Sequence, residues 1–325
     1  MDVMFLPEYG RLYEKIDGGT CETFTFSCDA GTVRHLFLKR PVPWLVGGRQ
    51  YYDIRTPYGY GGPLVMQGDD IDALSAAYNK AFAEYCRDNG VVSAFIRFHL
   101  FDNADLRAHY DGETVYMQDN VVCDLLPPLT EQWMRFDHKV RKNVNKAERA
   151  GLTVRIDETG EYLDDFLHVY YDTMERNHAG EYYYFDRGYF ERICETLPGR
   201  FRYFHVVEEG EIVSTELCLC SETYVYSFLG GTLEAHYANR PNDLLKYAIM
   251  RWGKETGRTK FILGGGYHRD DGIYHYKKAF APYPEGNVPF YAGKTIYNDT
   301  IYRALVERAS KRKPLDEGYF PLYRG

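Results

Sequence analysis

Residues 224–231 read YVYSFLGG, an aromatic strand that runs into a Gly-Gly pair. A helical stretch follows over 242–256, closed by Gly257, and then the apolar run KFIL over 260–263. Earlier in the chain the same succession occurs: YYDIRTPYGYGG over 51–62, a helical stretch over 71–89, Gly90, and VVSAFIRF over 91–98. Aligned on Gly61 and Gly230, the copies lie 169 residues apart. Strand, glycine-stopped helix and strand in that order make a parallel pair with a right-handed crossover. Two copies in 325 residues predict two related α/β units in tandem, since a chain of this length exceeds what one core ordinarily organises. The expected domains are residues 1–150 and 151–325, with the C-terminal helix packing back on the first and with function near the junction.

Working outward, residues 201–208, 211–220 and 224–231 read as an antiparallel meander with turns at EEGE and at Ser221-Glu222. In the first unit, Ile71, Leu74, Tyr78, Phe82 and Tyr85 recur at helical spacing, with Asp69 or Asp70 as the cap and Gly90 as the stop. Residues 130–151 read as one basic helix of about five turns joining the units. It carries Lys139, Arg141, Lys142, Lys146 and Arg149.

Composition narrows the function classes. A formal charge of −8 argues against a general nucleic-acid coat, and leaves the basic helix as a local anion-facing patch. The 31 tyrosines suit half-wet clefts, since each covers apolar surface and keeps a hydroxyl for a partner. Seven cysteines without a Cys-x-x-Cys suggest neither a disulfide framework nor a zinc site; a reducing, cytoplasmic setting and no metal are expected. No stretch approaches membrane-spanning length, so a lipid-linked substrate would be met at the inner face of the membrane.

The meander feeding a helix and a parallel strand resembles the core of the GNAT acyltransferase fold. TPYGYGGP (56–63), KVRKNVNKAERAGL (139–152), SFLGGT (227–232), NDLLKYAIMRWGKETG (242–257), FILGGG (261–266) and DGIYHYKKAF (271–280) together resemble FemAB-type proteins. That group comprises tandem-GNAT peptidyltransferases of peptidoglycan cross-bridges and their acyltransferase relatives. The resemblance implies an α/β fold of mixed sheets in two tandem GNAT-like domains. It also implies transfer of an acyl or aminoacyl group from an activated ester or thioester to an amine of a cell-wall or cell-envelope precursor. Aminoacyl-tRNA or acyl-coenzyme A would be the co-substrate, with no tightly bound cofactor. The chain departs from the acetyl-coenzyme A pattern in the linker GGTLEAHYANRPND (230–243), which lacks the usual phosphate loop. The alternative is therefore a non-catalytic module that binds a peptide or glycan in the inter-domain cleft. A nucleotide-dependent oxidoreductase is disfavoured, because no Gly-x-Gly-x-x-Gly follows a predicted strand.

Candidate residues follow from the chemistry, which needs a held carbonyl, a route for the amine proton and donors for the oxyanion. Lys277 occupies the lysine position of the family's aromatic-Lys motif and is expected to hold phosphate or stabilise the oxyanion. Glu216 shares a strand face with Cys218, opposite Leu217 and Leu219; a carboxylate there would have a raised pKa and accept the amine proton. Tyr226 is the candidate donor to the carbonyl or leaving group. Substrate contact is expected from Tyr58, Gly61, Gly62, Gly230, Gly231, Gly264, Gly265, Gly266 and Asp271. Asn242, at a helix N-terminus, would offer free N–H groups to an anion, and Arg141 and Lys142 would grip phosphates of tRNA or of a lipid-linked diphosphate.

Overall fold

The computed structural model describes residues 1–268 and 270–325. Two compact units divide it. A central unit comprises residues 1–3 and 118–288, and a split unit comprises residues 4–117 and 289–325. This differs from the boundary expected at residue 150, for a reason visible in the core. The helix His138–Arg149 buries Val140, Val144 and Ala147 against Leu245 and Ile249, so it belongs with the C-terminal half of the chain. The helix Asp299–Ser310, in turn, lies in the unit built mostly from the N-terminal half, where Leu305 and Ala309 pack with Val42, Val92 and Tyr323.

In the central unit, Phe201–Glu208, Glu211–Cys220 and Tyr224–Thr232 form the expected antiparallel meander, with Thr153–Asp157 beyond its first strand. Tyr224–Thr232 pairs in parallel with Lys260–Gly264, and that strand pairs antiparallel with the 121–124 end of Glu113–Asp124. The split unit repeats this order. Thr20–Cys28, Gly31–Pro41 and Tyr52–Arg55 run antiparallel, Tyr52–Arg55 pairs in parallel with Val91–Arg97, and that strand pairs antiparallel with the later strand Asn287–Ile296. In the split unit the closing strand Asn287–Ile296 thus returns after the whole central segment, whereas in the central unit the pairing residues 121–124 stand near the start of that unit's own continuous segment, 118–288.

The crossover helices follow their caps. Asp70 accepts from Ala73 N at 3.0 Å to start Ile71–Asp88, and Gly90, at φ +64°, turns the chain after it. Leu74, Tyr78 and Phe82 face the core, as the spacing predicts. The Gly pairs are not equivalent. Gly62 begins a separate strand, Gly62–Gln67, that pairs with Gly31–Pro41, whereas Gly230 and Gly231 lie inside Tyr224–Thr232.

The basic helix expected over 130–151 is two helices, Leu129–Arg135 and His138–Arg149. Phe136 takes an extended backbone and buries its ring against Phe280 and Tyr247. Asp137 then caps the second helix by accepting from Lys139 N at 2.7 Å. A buried aromatic and a fresh cap outweigh helical continuity here.

Candidate active site

A cleft of about 500 Å³ opens in the central unit where two parallel strands part. Their ladder runs only from Tyr224 to Tyr226 opposite Lys260 to Ile262, although the strands continue to Thr232 and Gly264. On the meander side the register shifts between Ser227 and Leu229, so Phe228 is an extra residue that bends the strand away. The cleft is lined by this bent strand, by Thr215 and Glu216, by the start of the helix Pro241–Glu255, and by Gly272, Ile273, Tyr276 and Lys277.

Glu216 and Lys246 form an ion pair at the cleft floor, and Lys246 Nζ also donates to Ser227 Oγ at 2.9 Å. Both side chains are buried, and Lys246 is the one fully buried lysine among the described residues. Glu216 Oε2 makes the ion pair, while Oε1 is buried with no hydrogen-bond partner among the described residues. The hydroxyl of Tyr276 is likewise buried and unpartnered among the described residues. Burial first, and then the nearby Asp243 and Glu216 carboxylates, hold that phenol well above its ordinary pKa.

Lys277 sits on the short helix Gly272–Lys278, whose start is tied by Asp271. That carboxylate accepts from Tyr267 N at 2.7 Å, His268 N at 2.9 Å and Tyr274 N at 2.8 Å. Lys277 Nζ donates to Gly265 O at 2.6 Å. It forms no ion pair among the described residues, and the Glu216 and Asp271 carboxylates act on it only from farther off. Burial, then the positive charge of Lys246, pulls its ammonium down to about 8. The cleft therefore holds one lysine with a counter-ion and one without.

The residues expected from sequence fall into two sets. Glu216, Lys277, Gly230, Gly231 and Asn242 line the cleft. Tyr226 does not: its side chain is buried and its hydroxyl donates to Asp2 Oδ2 at 3.0 Å. Gly264, at φ +78°, Gly265 and Gly266 shape the neighbouring loop, and Asp271 is its tie. A side chain at Gly265 would meet Gln118 at 2.5 Å, and the Gly265 carbonyl touches the lining residue Lys277. Arg141 and Lys142 lie off the cleft, with Arg141 Nη1 against Met134 Sδ at 3.2 Å. Tyr58, Gly61 and Gly62 belong to the split unit, where the Tyr58 carbonyl accepts from Tyr9 Oη and the Gly61 carbonyl accepts from Asn103 Nδ2 at 2.6 Å.

Lys246, Tyr276 and Asp243 were not singled out by sequence reasoning. A signal existed for the first: Lys246 falls at helical spacing among Leu245, Ile249 and Met250, where a cation needs a buried partner. Asp243 occupies the first turn of that helix, bonded by Asn143 Nδ2 at 3.2 Å, and burial raises its pKa. Pro241 carries no N–H, so the free donors of this helix start begin at Asn242, beside Arg240 in the left-handed conformation.

No helix of the described residues is long and apolar enough to cross a membrane. Residues 134–278 match the family described as acetyltransferase (GNAT) domain. No curated protein matches the chain by sequence. Among solved structures, FemX shares 17% identity and a TM-score of 0.72 over 93% of this chain and 94% of its own. L-PGS from Bacillus licheniformis shares 16% identity and a TM-score of 0.56 over 96% and 100% of the two chains. The C-terminal domain of a putative lysylphosphatidylglycerol synthetase from Agrobacterium fabrum shares 16% and 0.55 over 89% and 88%. The chain thus shares the mixed α/β fold of FemX, and residues 134–278 within it are similar to the acetyltransferase (GNAT) domain family.

Proposed function

We propose that this cleft transfers an acyl or aminoacyl group from an activated thioester or ester to an amine, and that the amine belongs to a cell-envelope precursor. The observation that carries the reading is the pairing of an unpartnered carboxylate oxygen, Glu216 Oε1, with a desolvated lysine lacking a counter-ion, Lys277, in one cleft. Each group has what the other half of the reaction needs.

The acceptor amine donates an N–H to Glu216 Oε1, which orients its lone pair at the donor carbonyl carbon and takes the proton as the C–N bond forms. Negative charge gathers on the carbonyl oxygen, where the Lys277 ammonium and the Tyr276 hydroxyl supply donors. The C–S or C–O bond then breaks and the leaving group takes up a proton. Lys246 stays paired with Glu216 and keeps its Oε2 occupied.

Either donor, acyl-coenzyme A or aminoacyl-tRNA, fits this chemistry. The Asp243 carboxylate in the first helical turn makes that helix start a poorer phosphate site than a bare N-terminus, which supports a donor gripped elsewhere along its length. The envelope acceptor is supported by the folds of FemX and L-PGS, and the tRNA contact by the cations Arg141 and Lys142 on the helix His138–Arg149.

The test is mass spectrometry of ligand retained from cell extract, followed by transfer assays with the donor found. Retained coenzyme A or tRNA, and an amide product with a nucleotide-linked sugar peptide or an aminated lipid headgroup, is expected. Retention of a peptide or glycan with no acyl transfer would overturn the reading in favour of a binding module.

A further inference from the structure

We propose that Lys277 is itself an acylation site: with an activated acyl donor in the cleft and no acceptor amine beside it, the ε-amine takes the acyl group as an amide. The inference rests on the acyl-transfer reading above. Its basis is the difference between the two cleft lysines. Lys246 is committed to Glu216 and Ser227. Among the described residues Lys277 has one hydrogen bond, to a neutral carbonyl, and that bond survives deprotonation because an amine keeps two N–H groups. The neutral form therefore stays anchored with its lone pair available.

Two further conditions are met. Lys277 lines the cleft beside Tyr276 and close to Glu216, so a donor carbonyl placed for attack by an outside amine also faces this one. Burial and the charge of Lys246 bring its pKa to about 8. Roughly one in ten such side chains is neutral at pH 7, against fewer than about one in a thousand for an exposed lysine.

The step balances without an oxidant or reductant. The Nζ lone pair forms a C–N bond to the thioester carbonyl carbon, the C–S bond breaks, and the proton lost by the amine ends on the departing thiolate. The products are Nε-acyl-Lys277 and a free thiol. Acylation removes the cation that would stabilise the oxyanion, so an acceptor-starved chain converts itself to an inactive form.

The experiment is peptide mass spectrometry on the full chain after incubation without added amine, with acetyl-coenzyme A as one probe and N-hydroxysuccinimidyl acetate as a second that needs no nucleotide recognition. Lys277 should acetylate at least about tenfold faster at pH 7 than the exposed Lys142 and Lys146. Its rate should level off above about pH 8, while theirs keeps climbing. No preference for Lys277 with either probe overturns the proposal. Transfer to an external amine without labelling of Lys277 defeats this inference and leaves the acyltransferase reading standing. Labelling of Lys277 without transfer to any amine does the reverse.

Discussion

Lys246 and Glu216, thirty residues apart in the chain, close a buried ion pair between the helix Pro241–Glu255 and the strand Glu211–Cys220. The pair fixes which lysine of the cleft is free to meet substrate. Removing one member leaves the other charged and dry. Lys246→Met should cost about 3–5 kcal/mol in urea unfolding, and the double variant Glu216→Leu with Lys246→Met should recover much of that loss. A Lys246→Met chain as stable as the parent would show that water reaches the carboxylate.

Lys277 sets a test in kinetics. If its ammonium meets charge that exists only as the amine attacks, Lys277→Met should lower kcat by about 100-fold or more with little change in KM. A raised KM with kcat intact would assign it to holding a donor phosphate instead.

The same residue ties activity and stability to pH in opposite directions. Its folded pKa, about 8, lies below the ordinary lysine value of 10.5. Below pH 8 both states bind the proton and the folded chain bears the full cost of burying the charge. Between about 8 and 10.5 the unfolded state binds more protons, so stability rises with pH, by up to about 3 kcal/mol. Turnover, which uses the cation, should fall through the same window. Unfolding curves at pH 7, 8, 9 and 10 should show the rise in the parent chain and lose it in Lys277→Met.

Gly231 lies where a side chain would run into Thr173 Oγ1 and the Val169 carbonyl of the helix Leu163–Arg176. A backbone carbonyl cannot swing aside, so Gly231→Ala should destabilise by about 1–3 kcal/mol and lower Tm. An unchanged Tm would mean that the helix slides at little cost.

Arg141 and Lys142 stand off the cleft. Changing both to Gln should weaken tRNA binding and flatten its salt dependence by up to about two logarithmic units of slope. An identical salt series for parent and variant would remove tRNA from this helix.

The amino-acid sequence by itself determined the repeated strand-helix-strand units, the meander, a helix start at Asp69 or Asp70 with its stop at Gly90, and the strand face that carries Glu216. These are properties of periodicity and local backbone chemistry, each element being legible within its own stretch of sequence. Tertiary structure decided the rest. Glu113–Asp124 pairs with Lys260–Gly264, and Asn287–Ile296 with Val91–Arg97, partnerships between strands far apart in sequence that no local pattern encodes. Tyr226 lies on the expected strand, but its hydroxyl is met by Asp2, 224 residues away. The continuous helix drawn through Phe136 broke because burying that ring against Phe280 outweighs helical continuity. Lys246 became the partner of Glu216 only once the helix was laid across the sheet, since a buried charge takes its counter-ion from whatever element packing brings within reach.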